Sequence, residues 1–349
     1  MAVTKEPFGK SKDGQALSLY TIDNGKMQVK LTDLGATIQA ILVPDKAGNL
    51  VDVALGYDKP EDYYENGCYF GAVIGRNGNR IDKGRYCLGE KEVQLDINDN
   101  ENNLHSGLNG FDNRVWTVEK ETDNSVTFFL KDADMEQKNP GNFLVHVTYT
   151  LSDDNALSLH YEAECDQDTI ANLTNHVYFN LGGHKSGPIE GHMLQINAKH
   201  YNPVIDYQAI PTGEKAPVAG TVFDFTTPHR IGERIGAEEE QLTFVKGYDH
   251  NWILRDEKGE PIKAVEASCP ATGIFMEVFT DLPAVQFYAG NCITPGHAGK
   301  DGALYQPRCG FCLETQFVPN AINMDGFQKP ILKAGEKYDT TTCYRFSVK

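Results

Sequence analysis

Two segments of the chain place ionisable side chains among residues that otherwise resemble a protein core. His176 lies in residues 172–183, one predicted strand in which amides and a tyrosine alternate with apolar residues, and Glu314 is the only acid in the strand-like residues 310–316. Burying such groups is costly unless a partner or a ligand is present. An imidazole and a partly buried carboxylate are candidates for general acid-base chemistry. A lone histidine in such a segment is nevertheless more often a structural, hydrogen-bonded residue.

Three further segments combine polar and small residues in a way that suits a ligand site. Residues 75–81 include Asn79 and Arg80, and planar amide and guanidinium groups there could hold hydroxyl groups in a fixed geometry. A glycine-rich turn held by an arginine salt bridge explains that segment equally well. His105 lies beside a turn, and Asp249 follows an aromatic residue, a combination that sugar sites use for hydroxyls and for the C–H face of the ring. Asp249 could equally cap a turn.

The elements that must position these residues are predicted to be β-strands. Apolar and polar residues alternate over 145–151 and 157–165, and the Asp153-Asp154-Asn155 cluster between them predicts a hairpin turn. A second hairpin is predicted from residues 37–43 and 50–55, with a Pro- and Gly-containing turn between them.

Helical periodicity is nearly absent. The best candidate is the short segment 230–236 with its acidic continuation through Glu240. The 33 Gly and 16 Pro are spread evenly, and no linker or internal repeat divides the sequence. These patterns predict an all-β protein, a single large antiparallel β-sandwich with few short helices, in which residues 1–349 form one domain.

The composition of the chain argues against some classes of ligand and some cellular locations. Lys and Arg number 32 against 49 Asp and Glu, and a formal charge of -17 would repel nucleic acid and anionic membrane surfaces. No apolar stretch follows the N-terminal residues, so neither a secretory signal nor a membrane anchor is predicted. The eight cysteines are scattered without a disulfide framework, which suits a reducing compartment. We therefore expect a cytoplasmic protein that acts on a neutral small molecule.

Several motifs, in their order along the chain, resemble the aldose 1-epimerase family over essentially the whole sequence. The resemblance is carried by residues 70–76, 79–81, 104–105, 172–176, 178–180, 210–214, 247–251, 285–288 and 313–316. It implies the large β-sandwich of that family, the supersandwich, and an isomerase that interconverts the α and β anomers of free hexoses such as galactose and glucose. It also implies that no metal and no organic cofactor takes part.

The resemblance implies roles for individual residues. By this similarity Glu314 matches the general base, His176 the general acid, and His105 a second histidine near the ring oxygen. Positions that hold sugar hydroxyls are matched by Asn79, Arg80, Asp249 and Gln286. Two features depart from the family pattern: Asn77-Gly78 replaces a small apolar pair, and Ser106 replaces a glycine. Both adjoin site residues, so we expect them to affect loop shape or sugar preference more than the chemistry.

Opening a hemiacetal needs one base and one acid on opposite sides of the C1–O5 unit. A glutamate ionised near neutral pH can accept the O1 proton, and a histidine held cationic by nearby carboxylates can donate a proton to O5. The sequence contains no nucleophile elbow, no phosphate-binding glycine loop that opens a helix and no helical metal motif. Whether His176 or His105 transfers the proton stays open at this point.

Two other functions remain as alternatives. A hexose-6-phosphate mutarotase would need several cations for the phosphate dianion, and only Arg76 and Arg80 accompany the motifs. A non-catalytic carbohydrate-binding protein could share the fold but would not need an acid and a base together. The galactose-to-glucose preference is not predicted, and for the oligomeric state we favour a monomer over a dimer.

Overall fold

A computed structural model describes residues 1–65, 67–294 and 298–349. Its strands are, in chain order, β1 (Ala2–Lys10), β2 (Ala16–Asp23), β3 (Gln28–Thr32), β4 (Thr37–Pro44), β5 (Leu50–Asp52), β6 (Val73–Ile74), β7 (Arg80–Ile81), β8 (Arg85–Leu88), β9 (Lys91–Gln94), β10 (Asn103–Leu104), β11 (Thr117–Glu121), β12 (Ser125–Asp132), β13 (Phe143–Leu151), β14 (Ala156–Cys165), β15 (Thr169–Ile170), β16 (Thr174–Asn175), β17 (Met193–Ile196), β18 (His200–Asn202), β19 (Ala216–Pro217), β20 (His229–Arg230), β21 (Asp249–Ile253), β22 (Ile262–Ser268), β23 (Ile274–Thr280), β24 (Ala284–Tyr288), β25 (Cys312–Gln316), β26 (Ile331–Leu332) and β27 (Lys337–Val348).

Three sheets hold most of these strands. β1 to β5 form the first sheet in sequence order, and a nine-stranded sheet has the order β11-β12-β13-β14-β27-β23-β22-β17-β20. The third sheet has the order β19-β18-β21-β24-β25. The strand pairs within all three are antiparallel, which confirms the predicted all-β, antiparallel architecture. The predicted hairpins are present as β13 with β14 and as β4 with β5.

One apolar cluster joins the sheets. It includes Val29 and Ile38 from the first sheet, Val147 from the nine-stranded sheet, and Trp252 and Phe287 from the third. Each of these side chains is almost completely buried. The alternation along the strands directs one set of side chains into this core. That residues 1–349 form a single domain stays a prediction.

The helices are short, as expected, but their positions differ from the prediction. Two α-helices occur among the described residues, α1 (Pro60–Glu65) and α2 (Glu240–Val245). The predicted segment 230–236 instead forms the end of β20 and one 3-10 turn, Ile231–Glu233, so its helical prediction is wrong. Ile231 is buried in the core, and tertiary packing has overridden a weak local preference. Among the described residues, no helix is both long and apolar enough to cross a membrane.

Residues 172–183 do not form the single strand that their alternation predicts. Only Thr174–Asn175 is a strand, paired with β6. The amides of this segment replace a regular ladder with side-chain hydrogen bonds: Asn175 Nδ2 donates to Gly71 O at 2.8 Å, and Asn180 Nδ2 donates to Cys309 O at 2.8 Å. These buried amides therefore hold the segment in place instead of facing a ligand.

Candidate active site

The candidate site lies on the sheet that contains β18, β21, β24 and β25. Pairing places Asn202 opposite Asn251, Asn251 opposite Gln286, and Gln286 opposite Glu314. Directly opposite residues project from the same face of a sheet. A continuous row of polar side chains therefore crosses four strands and ends at Glu314.

Glu314 and His176 face each other at the end of this row. Glu314 Oε1 lies 3.8 Å from His176 Nε2, and the two residues are only 2% and 5% exposed. The main chain fixes the histidine: the His176 N–H donates to Ala72 O at 3.0 Å, and its carbonyl accepts from the Gly71 N–H at 3.1 Å. Two residues that are far apart in sequence thus meet in one buried place.

His105 stands beside the pair, with its ring centroid 5.2 Å from that of His176. The ring Nδ1 accepts a hydrogen bond from the Asn79 main-chain N–H at 3.0 Å, and the main-chain N–H of His105 donates to Asn79 O at 3.1 Å. Because Nδ1 is an acceptor, the neutral ring carries its proton on Nε2. His105 is therefore a hydrogen-bond donor through its free nitrogen.

The spacing of these three residues also suits a metal ion, but the hydrogen bonding does not. One ligand atom from each of His105, His176 and Glu314 lies within 4.8 Å of the other two. A metal bound at Nε2 of His105 requires the proton on Nδ1, and the Asn79 N–H already points at that atom. The geometry disfavours an ion that uses all three side chains.

Burial controls the protonation of the site. Loss of hydration lowers the pKa of His176 to about 4, against a smaller opposite effect of its own main chain. Burial, followed by the charges of His176 and Arg80, lowers the pKa of His105 well below its ordinary value. Burial, followed by the charge of Asp249, raises the pKa of Glu314 to about 8, although Arg80 acts in the opposite direction.

At neutral pH these pKa shifts place the proton on Glu314 and leave both imidazoles neutral in the free protein. The expectation that carboxylates hold a histidine cationic is wrong for this state. Desolvation is the largest cause at both residues, and it disfavours the charged forms of Glu314 and His176. The pair still holds one proton, which is the number that an acid and a base together require.

The residues predicted to hold sugar hydroxyls are brought together. Asn79, Asp249 and Gln286 line one small cavity, and Gln286 Nε2 donates to Asp249 Oδ1 at 2.7 Å. Within the described residues, Gln286 Oε1 and Glu314 Oε2 are buried acceptors that lack a hydrogen-bond partner. Buried acceptors of this kind need donors, which hydroxyl groups can supply.

Arg80 lies at the same site and is held by a carboxylate. Its Nε is 2.7 Å from Asp99 Oδ2. Burial raises the pKa of both Asp249 and Glu314, and the nearby charge of Arg80 acts against both rises. The fixed guanidinium thus offsets the two acidic groups of a buried site.

The chain is similar to known proteins over almost its whole length. A profile of the aldose 1-epimerase family matches residues 18–345. The galactose mutarotase of Mus musculus is 41% identical over 349 residues, which cover 100% of this chain and 99% of that protein. The aldose 1-epimerase of Escherichia coli (strain K12) is 38% identical over 340 residues, which cover 96% of each chain.

The chain belongs to the aldose 1-epimerase family. This confirms the predicted enzyme class, a carbohydrate epimerase. A solved galactose 1-epimerase from Lactobacillus acidophilus NCFM superposes with a TM-score of 0.86 at 30% identity, over 100% of this chain and 99% of that one. An aldose epimerase homologue from C. elegans superposes with a TM-score of 0.87 at 28% identity, over 95% and 99% of the two chains. The predicted supersandwich fold is confirmed.

Arg76 belongs to the scaffold and not to the ligand site. It is completely buried, its Nε lies 2.6 Å from Asp132 Oδ2, and its Nη1 donates to Pro140 O at 2.8 Å. Of the two explanations for residues 75–81, a turn held by an arginine salt bridge is correct for Arg76. The other explanation, binding of ligand hydroxyl groups, stays a prediction for Asn79 and Arg80.

The two departures from the family pattern contact each other. The Asn77 N–H donates to Ser106 Oγ at 2.8 Å, and the Ser106 hydroxyl donates to Asn77 O at 3.2 Å. Ser106 has a φ of 70°, a conformation that glycine adopts without strain. Compared with a glycine, Ser106 is strained in this backbone conformation, but its hydroxyl forms two buried hydrogen bonds next to His105.

Sequence reasoning missed two residues that contact the histidines. The ring of Tyr69 lies 4.8 Å from that of His105 and 5.7 Å from that of His176, and its φ is 57°. Cys312 Sγ lies 3.4 Å from His176 Nδ1. Cys312 was detectable in principle, because it precedes Glu314 by two positions and the period of a strand puts both on one face. No local signal marks Tyr69.

Proposed function

We propose that the chain interconverts the α and β anomers of a free hexose, with Glu314 as general base and His176 as general acid. The observation that carries this proposal is the buried approach of Glu314 Oε1 to His176 Nε2 at 3.8 Å. A separation of that size suits two groups that act on two oxygens bonded to the same carbon, here O1 and O5 on C1 of the hemiacetal.

Sugar binding prepares the pair for catalysis. Hydroxyl groups that donate to the Glu314 carboxylate favour its ionised form, and the single proton of the pair then moves to His176. Glu314 takes the O1 proton as the C1–O5 bond breaks, and His176 Nε2 gives its proton to O5. The open aldehyde rotates about C1–C2, and the ring closes with the two roles reversed. Each group contributes about 10²- to 10⁴-fold.

His105 has a different task in this proposal. The Asn79 N–H donates to Nδ1 of His105, so the ring proton of His105 is on Nε2. Burial lowers the pKa of His105 and so keeps the ring neutral. A neutral imidazole of this tautomer donates a hydrogen bond to a ring or hydroxyl oxygen without transferring the proton. His105 is therefore a hydrogen-bond donor in this proposal, and the approach of Glu314 Oε1 to His176 Nε2 at 3.8 Å favours His176 as the acid.

The remaining polar groups orient the sugar. Asn79, Asp249 and Gln286 bind hydroxyls through the cavity they line, and Arg80 adds a fixed set of donors. Galactose and glucose are the proposed substrates, and galactose appears in the names of relatives. The protein is proposed to act as a cytoplasmic monomer that needs no metal or cofactor.

A phosphorylated hexose fits the described site poorly. Arg76 is committed to Asp132, and the cation next to Glu314, Arg80, is already paired with Asp99. A phosphate dianion is usually held by several cationic groups or main-chain N–H groups. We therefore place free hexoses before hexose 6-phosphates.

Glu314→Gln and His176→Asn test the assignment. Polarimetry of freshly dissolved α-galactose should show that kcat falls by at least about 100-fold in each variant. Galactose binding, measured by calorimetry, should change little in Glu314→Gln, because the amide keeps the shape and one acceptor. Glu336→Gln, the same change at an exposed turn, is the matched control.

Three results would count against the proposal. Near-normal anomer equilibration in Glu314→Gln would remove the base. A much larger loss in His105→Asn than in His176→Asn would exchange the roles of the two histidines. A wild-type protein that binds galactose and leaves the rate of mutarotation unchanged would be a carbohydrate-binding protein.

A further inference from the structure

Cys312 occupies a place in the site that the proposed mechanism does not use. It lies on β25 two positions before Glu314, so both side chains project from the same face of the strand. It is opposite Tyr288 and is completely buried, in a cluster that includes Tyr178 and Tyr305. A thiol in such surroundings stays protonated, and burial indeed raises the pKa of Cys312 well above its ordinary value.

The sulfur atom contacts the side of the His176 ring that faces away from Glu314. Cys312 Sγ lies 3.4 Å from Nδ1, within hydrogen-bond distance for sulfur, while Nε2 is the atom near Glu314. In the proposed reaction Nε2 alone gains and loses a proton, so Nδ1 keeps its proton throughout and needs an acceptor. A thiol sulfur is a weak acceptor.

We propose that Cys312 is a positioning residue, whose sulfur accepts a hydrogen bond from Nδ1–H of His176 and thereby directs Nε2 at the reacting oxygen. This inference rests on the proposed function. A carboxylate at the same place would also orient the ring, but it would stabilise the imidazolium strongly and make it a weaker acid. The sulfur orients the ring and leaves His176 acidic enough to protonate a ring oxygen, which is a poor base.

Three substitutions separate hydrogen bonding from packing. Cys312→Ser keeps an acceptor, Cys312→Val fills the space without one, and Cys312→Ala removes both. If the hydrogen bond matters, kcat falls about 2- to 10-fold in the Val and Ala variants, with KM little changed, while Ser stays near the wild-type rate. The range corresponds to one neutral hydrogen bond.

The matched control is Cys309→Ala. Cys309 is buried in the same cluster, but its sulfur accepts from the Gln306 N–H at 3.2 Å and does not contact the histidine. Its variant should keep the wild-type kcat. A Val variant of Cys312 as active as wild type, or a Ser variant as slow as Val and Ala, would assign Cys312 to packing and overturn the proposal.

A spectroscopic measurement tests the hydrogen bond without any reference to activity. Ring ¹⁵N shifts of histidine-labelled wild-type protein at pH 6.5 to 7 should show His176 with its proton on Nδ1, and the Nδ1 shift should move in Cys312→Val. A proton found on Nε2 in the wild type would refute the proposal. Loss of the proposed function would instead be seen as an active Glu314→Gln variant with these ring shifts unchanged.

Discussion

The pH dependence of kcat/KM should report the buried pair directly. Burial lowers the pKa of His176 to about 4 and raises that of Glu314 to about 8, so the pair in the free protein holds one proton between about pH 4 and about pH 8. Moving that proton from Glu314 to His176 creates the proposed active form without changing the proton count. Because kcat/KM reports the free enzyme, its value follows the one-proton fraction of the pair.

The two pKa values set the shape of the pH profile of kcat/KM. We expect a plateau from about pH 5 to 7, with a tenfold loss for each further unit below about 4 or above about 8. An exposed pair would lose its proton near the ordinary histidine value of about 6.5, and at pH 7.5 it would retain roughly one tenth of its activity. The buried pair should retain more than half of its maximal kcat/KM at that pH.

Initial-rate polarimetry at a series of pH values, after subtraction of spontaneous mutarotation, measures the profile. The charged and titratable neighbours of the pair include His105, Arg80 and Asp249, the thiol described above, and the phenols of Tyr69, Tyr178 and Tyr288. Asp249→Asn removes a charge that raises the pKa of Glu314, so the upper limb should move to lower pH whatever happens to KM. An upper limb centred near 6.5 in the wild type, or an upward shift in Asp249→Asn, would refute the reasoning.

Three further predictions concern the scaffold. Ser106→Ala should lower the free energy of unfolding by about 2 kcal/mol in urea titrations, because two buried hydrogen bonds are lost and the strain remains, whereas Ser106→Gly should cost less because it relieves the strain; equal losses would contradict this. Arg76→Ala should cost about 3–5 kcal/mol, because it breaks a completely buried ion pair and leaves Asp132 with Arg114 alone, and a loss below 1 kcal/mol in the same titrations would contradict it. Acid should destabilise the fold, because burial lowers the pKa of His192 to about 4 and that of His250 to about 3. Below pH 6.5 the unfolded chain therefore binds more protons than the folded protein. Each of the two histidines then lowers the free energy of unfolding by about 1.4 kcal/mol per pH unit. His250→Phe should weaken the fall of thermal stability between pH 6.5 and 4.5, and an unchanged slope would contradict this.

Local patterns were sufficient for the architecture. Alternation over 145–151 and 157–165 is a property of neighbouring residues, and it predicted strands that the structure contains. The helix at 230–236 failed because its local preference is weak and Ile231 is buried by tertiary packing. The strand over 172–183 failed because buried amides bond to the main chain of distant loops.

The sequence by itself determined the fold class, the enzyme family and the set of candidate residues, because strand alternation and family motifs are local patterns of neighbouring residues. Only the tertiary structure decided what each polar residue does. It assigned Arg76 to a buried ion pair, locked the tautomer of His105 through Asn79, and set Cys312 against His176. It also reversed the expected protonation of Glu314 and His176, because desolvation depends on everything that surrounds a group, and most of those surroundings come from elsewhere in the chain.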